Sequence, residues 1–114
     1  MGYSFNEQFS NDNATSIIIS EDIAIMLVAE PFFKTFIGDK EIGDAQKTTT
    51  SLICLSAESR EKVDELVSLA VEAGGIASAT KQDHGWMYGH GFEDLDGHLW
   101  ELAYMDFAAM PQNL

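Results

Sequence analysis

Cysteine is nearly absent from this chain. Cys54 is the only one in 114 residues, which excludes an internal disulfide and fits a reducing compartment. It stands in an apolar run, where a buried, inert thiol is the expected state. Basic residues are scarce too: six Lys and Arg face 19 Asp and Glu, for a formal net charge of −13. Such a balance repels nucleic acid and anionic membranes, so neither is an expected partner. The acids are spread along the chain, so they serve either to favour a cationic ligand or simply to keep the protein soluble. There is no apolar run of transmembrane length and no basic-then-apolar leader, and the expectation is a soluble, cytoplasmic protein. Proline occurs only at positions 31 and 111, and no low-complexity stretch interrupts the chain.

What is present is an ordinary globular composition, 46% hydrophobic, long enough to bury a core as a single domain spanning 1–114. Residues 2–12 read as a short strand running into a turn at Asn11-Asp12-Asn13. Thr15 to Ser20 and Ile23 to Ala29 are β-branched and apolar, and form a hairpin around Glu21-Asp22. Pro31 closes this segment, with a single helical turn at Phe32–Phe36. The polar stretch that follows, to Lys47, is expected to be a linker or lid. Thr48 to Ser56 is a further strand. Ser59 is placed as the N-cap of a helix whose apolar positions are Val63, Leu66, Val67, Ala70 and Ala73, and Gly74-Gly75 stops it. A weak strand at Ile76 to Lys81 then precedes two strong ones, Trp86 to Phe92 and His98 to Tyr104.

The most informative stretch is Phe92-Glu93-Asp94-Leu95-Asp96-Gly97-His98-Leu99-Trp100-Glu101-Leu102. Turn formers sit between two alternating strands, and the second strand carries Glu101 on a mostly apolar face. A carboxylate there costs free energy unless it is paired, ligated or wet. With the hairpin symmetric about Leu95 and Asp96, His90 lies opposite Glu101, Phe92 opposite Leu99 and Tyr88 opposite Ala103, on one face with Trp86. A His–Glu pair among aromatic rings is a candidate acid/base unit, or else a polar contact that satisfies both side chains.

Residues 48–105 thus spell strand, helix, strand, strand, strand, and 2–30 spell three strands. Together with Gly85-Trp86-Met87-Tyr88 and the Phe92–Leu102 hairpin, this order resembles the vicinal oxygen chelate superfamily, which includes glyoxalase I, bleomycin-resistance proteins and extradiol dioxygenases. The resemblance implies an α+β fold of βαβββ modules forming a curved mixed sheet, the first module (2–30) lacking its opening strand and helix. A linker (31–47), a complete second module (48–105) and a tail (106–114) follow. The family binds a divalent metal such as Zn, Ni or Fe through four strands. Carried onto this chain, only Glu101 matches a ligand position. Ser51, with neighbours Thr50, Leu52 and Ile53, stands where a His is usual, and Met26 or Leu27 stands where a Glu is usual. No metal cofactor is therefore expected.

The resemblance implies a cup-shaped pocket, and the acidic balance and aromatic face suit a small amphiphilic or cationic molecule in it; the hairpin register makes Glu101 and His90 the expected reactive pair, with Trp86, Tyr88, Phe92 and Leu99 as the expected ligand-binding residues. The alternative is a metal-dependent lyase or isomerase similar to lactoylglutathione lyase, or a dioxygenase, using Glu101. A homodimer formed through an exposed strand edge is the expected assembly.

Overall fold

The computed structural model describes residues 3–6 and 11–111. They fall into two compact units, the first ending at Gly43 and the second beginning at Asp44, inside the expected linker. The first unit is a three-stranded antiparallel sheet in the order β1 (Ser4–Asn6), β2 (Ala14–Ile18), β3 (Ala24–Val28). Residues 7–10 of the expected opening strand lie outside the described residues. Asn11 starts the sheet by capping its turn: its side-chain oxygen accepts from the backbone N–H of Asn13 (2.7 Å) and Ala14 (3.1 Å). β2 and β3 are joined as expected, with Ile23 and Ser20 bonded across the turn. α1 (Glu30–Lys34) is the expected single helical turn, begun two residues early by Pro31 in its first turn. It has no buried residue, and its ring contact is edge-to-face between Phe32 and Phe36, 5.1 Å between centroids.

The second unit is a mixed sheet built from β4 (Leu52–Ser56), β5 (Ile76–Ala77), β6 (Gln82–Asp83), β7 (Met87–Glu93) and β8 (Leu99–Met105). Its order is β4-β8-β7, with β5 and β6 both pairing the outer side of β7. β4 runs parallel to β8, and every other pairing is antiparallel. That arrangement needs a crossover between opposite edges of the sheet, and α2 (Arg60–Glu72) supplies it. Ser59 caps the helix as the sequence predicts, accepting from the N–H of Lys62 at 3.0 Å. Gly74, at φ +107°, follows its end.

A single crossing helix covers a single face. Val63, Leu66, Val67 and Ala70 of α2 are buried, as are Tyr88, Phe92, Trp100 and Leu102 of the sheet. The Tyr88 hydroxyl reaches Asp64 of α2, which identifies the even-numbered positions of β7 and their partners on β8 as the helix-facing set. Val63 and Leu102 are fully enclosed at the centre of this layer. Among the described residues of this unit, no helix lies on the opposite face. Leu52 and Ile76, exposed there to 55% and 66%, mark it as apolar and uncovered.

Of the expected weak strand at Ile76–Lys81 only Ile76–Ala77 forms a strand; residues 78–81 lift away, and pairing resumes just beyond it at Gln82–Asp83. Beyond β8, Asp106 begins a turn through Met110, and residues 112–114 of the expected tail lie outside the described residues. Among the described residues, no helix is long and apolar enough to cross a membrane.

Leu102→Ala empties the best-enclosed site of the second unit. It should cost about 2–5 kcal/mol of unfolding free energy, read from the urea midpoint at unchanged slope.

Candidate functional site

The register of the β7–β8 hairpin decides which side chains can form a site. β7 and β8 pair as Glu93 with Leu99, Phe92 with Trp100, Gly91 with Glu101, His90 with Leu102 and Gly89 with Ala103. The connection therefore holds five residues, 94–98, and is centred on Asp96. Asp94 accounts for this odd number. Its Oδ1 accepts from the N–H groups of Asp96 and His98, both at 2.9 Å, and its Oδ2 accepts from Nε1 of Trp100, also at 2.9 Å. Gly97 completes the turn at φ +94°. Its missing Cβ makes room for the carbonyl of Ala45, which a Cβ would approach to 2.7 Å.

This register is one residue away from the symmetric one, and a slip of one exchanges faces. Three expectations are corrected as a result. His90 does not oppose Glu101: it lies on the α2 side, where its Nε2 is 3.0 Å from the carbonyl of Ser78. A carbonyl only accepts, so Nε2 carries the proton. Tyr88 and Phe92 belong to the buried layer under α2, Phe92 stacked parallel to Trp100 at 6.3 Å, and of the two only Phe92 borders the concavity described next. Trp86 is half-buried before β7, where its carbonyl accepts from Asp106, and it does not line the concavity described next.

On the uncovered face, Glu101 stands at the centre. Gly91 pairs with it on β7 and Gly89 is two residues away, and a Cβ on Gly91 would come within 2.7 Å of the Trp100 carbonyl, so the close approach of the two strands needs a glycine there. A Cβ on Gly89 would come within 3.3 Å of Glu101 Oε1, which shows the carboxylate leaning across that glycine. The result is a concavity of about 340 Å³, bordered by Leu52, Ile76, Leu99, Glu93 and Glu101, with Ser78, Thr80 and Gln82 along one rim. That volume suits a small molecule. Leu99, expected at the site, lines it. Two carboxylates and no Lys or Arg border it.

The strand position lateral to Glu101 on β4 is Cys54. The expected buried thiol is instead exposed, because β4 is an edge strand and Cys54, paired with Glu101, is on the face away from α2. Partial desolvation by the neighbouring side chains, and then the Glu101 charge, push the thiol above its ordinary value of 9.0. Among the described residues, no three His, Cys, Asp or Glu side chains converge in a way that could hold a metal ion. Ser51 precedes β4 and is not paired with Glu101's position; Met26 and Leu27 lie in β3 of the first unit.

Nothing in the residue types announced Cys54 as Glu101's neighbour. A parallel pairing of β4 with β8 in this register would have been needed to find it.

No family model matches the chain, and no curated protein matches it. Solved structures do. A hypothetical protein from S. aureus is 25% identical with a TM-score of 0.74, covering 90% of this chain and 76% of that one. A glyoxalase/bleomycin resistance protein/dioxygenase family enzyme from Burkholderia phytofirmans is 14% identical with a TM-score of 0.70, covering 92% and 81%. A glyoxalase-related enzyme from Fulvimarina pelagi is 16% identical with a TM-score of 0.73, covering 90% and 70%.

Two measurements check the site's electrostatics. Glu101→Gln removes the charge that raises the Cys54 thiol, so iodoacetamide should alkylate Cys54 faster in this variant than in the unaltered protein at pH 8. On the helix side, the Tyr88 hydroxyl, 2.6 Å from Asp64 Oδ1, is the main cause holding that carboxyl below its ordinary 3.8. A carboxyl depressed on folding adds stability that is present above its unfolded value and is lost as pH falls through the folded one. The stability difference between the unaltered protein and Asp64→Asn should therefore stay constant from about pH 7 to 5 and shrink below about pH 4, by urea unfolding at each pH.

Proposed function

From the vicinal oxygen chelate fold, which this chain has in common with glyoxalase-related and bleomycin-resistance-like structures, we propose that the uncovered face of the second sheet binds a small amphiphilic or cationic molecule. One observation carries this reading. The concavity has apolar walls, contains the carboxylates of Glu93 and Glu101, and is bordered by His90 but by no Lys or Arg. An apolar body with a positive charge matches both features, because low-polarity walls strengthen the attraction of a nearby carboxylate. Leu52, Ile76 and Leu99 take up the body of the guest and Glu101 its charge. The reading includes a cytoplasmic homodimer. The three-stranded sheet of the first unit ends in β3, whose Met26 and Leu27 are about half exposed, and an open strand edge of this kind is a template for pairing.

A metal-dependent lyase, isomerase or dioxygenase needs a different donor set. The fold family's divalent ion takes three or more protein ligands. Here Glu101 has one potential donor alongside, Cys54, and that thiol is held in its protonated form. The described residues do not fit the ion.

Berberine, a planar aromatic monocation whose fluorescence rises in apolar sites, is a direct test. It should bind with saturable, one-to-one stoichiometry, while the anionic dye ANS should not compete. Glu101→Gln should weaken berberine about tenfold or more, a conservative figure for removing one carboxylate beside a cation. Equal binding of berberine to Glu101→Gln, or stoichiometric tight binding of Zn²⁺, Ni²⁺ or Fe²⁺, overturns the reading.

A further inference from the structure

One rim of the concavity is an irregular stretch of the sheet edge. Ile76 and Ala77 pair with Glu93 and Phe92, whereas Gln82 and Asp83 pair with Gly89 and Tyr88. Between these two points the edge has four residues, 78–81, opposite only two on β7, His90 and Gly91. Two residues are therefore surplus, and the chain lifts away as a strap. Ser78 still donates to the carbonyl of Gly91 at 2.8 Å, but Ala79, Thr80 and Lys81 add no backbone hydrogen bond to β7. Left to its backbone, such a segment opens readily.

Side chains on the other face of the sheet hold it instead. Lys81 Nζ is 3.5 Å from Asp64 Oδ1, the same oxygen that accepts the Tyr88 hydroxyl at 2.6 Å. Arg60, at the start of α2, pairs with Asp83 just past the strap and lies over the Tyr88 ring at 4.6 Å. His90 donates from Nε2 to the Ser78 carbonyl at 3.0 Å. Each of these contacts is partly exposed and would matter little to the stability of the whole unit. For a strap with almost no backbone ladder they are most of what resists opening. The other side of the same strap, through Ser78, Thr80 and Gln82, borders the concavity.

We propose that Asp64, with Tyr88, Lys81 and Arg60, is a clasp that positions the strap from the α2 side and thereby controls how fast a guest leaves the concavity. Asp64 is a positioning residue: it is on α2, across the sheet from the guest, and acts through Lys81 and Tyr88. The coupling to a guest rests on the binding function proposed above; the clasp itself does not.

The experiment follows amide hydrogen exchange of the full chain by mass spectrometry, without ligand, in the unaltered protein and in Asp64→Ala, Lys81→Met and Asp64→Glu. The expected result is exchange about three- to tenfold faster over residues 78–82 in the first two variants, no change over β8, and recovery in Asp64→Glu. Raising the salt concentration should speed the strap in the unaltered protein and do so by a smaller factor in Asp64→Ala, which keeps the Arg60–Asp83 pair alone. Stopped-flow release of berberine should accelerate by a similar factor in Asp64→Ala. Unchanged exchange over 78–82, or acceleration spread equally over the whole second unit, overturns the clasp. Faster strap exchange with unaltered berberine release overturns its control of the guest. Failure of berberine to bind the unaltered protein counts against the proposed function, and the exchange data then decide the clasp by themselves.

Discussion

One carboxylate sets the faces of the second sheet. Asp94 gathers two backbone N–H groups and the indole N–H of Trp100, and so holds five residues in the turn between β7 and β8. Trp100 is nearly buried, and its N–H needs a partner at that depth. The turn that provides one also dictates that Phe92 opposes Trp100 and that Gly91 opposes Glu101. Everything downstream follows from that pairing. The aromatic layer falls under α2, and Glu101 falls on the side that α2 leaves bare.

The second constraint is topological. β4 and β5 lie on opposite sides of the β8–β7 pair, and the one helix linking them can shield only one face. Here the other face keeps apolar residues at its margins and two glycines at its centre, an arrangement with room for a guest and little value as a self-contained core. The same asymmetry explains why a cysteine in an apolar run is exposed.

Much of the architecture was legible from residue types. Ser59, the spacing of Val63, Leu66, Val67 and Ala70, and Gly74 placed α2 within a residue or two, and alternation placed β7 and β8. Each of those signals is local. The site was less legible because it depends on quantities that residue types carry weakly. The hairpin register turned on a side chain capping its own loop, and one residue of difference moved His90, Tyr88 and Phe92 to the far face. Glu101 was recognisable because a lone carboxylate among apolar neighbours is conspicuous in either register. Its neighbour Cys54 came from a parallel pairing between segments more than forty positions apart, which no local pattern encodes.

The surplus in the sheet edge at 78–81 has a property beyond its fastening. It amounts to two residues, and in a strand two is one full period of the side-chain alternation. Ile76 before it and Gln82 after it consequently address the same side, as their partners Glu93 and Gly89 do. A surplus of one would have had to be absorbed by a bulge that sets two residues opposite a single partner. The edge thus behaves like a reading frame. An even surplus lengthens the rim of the concavity while the paired residues on either side of it keep their faces.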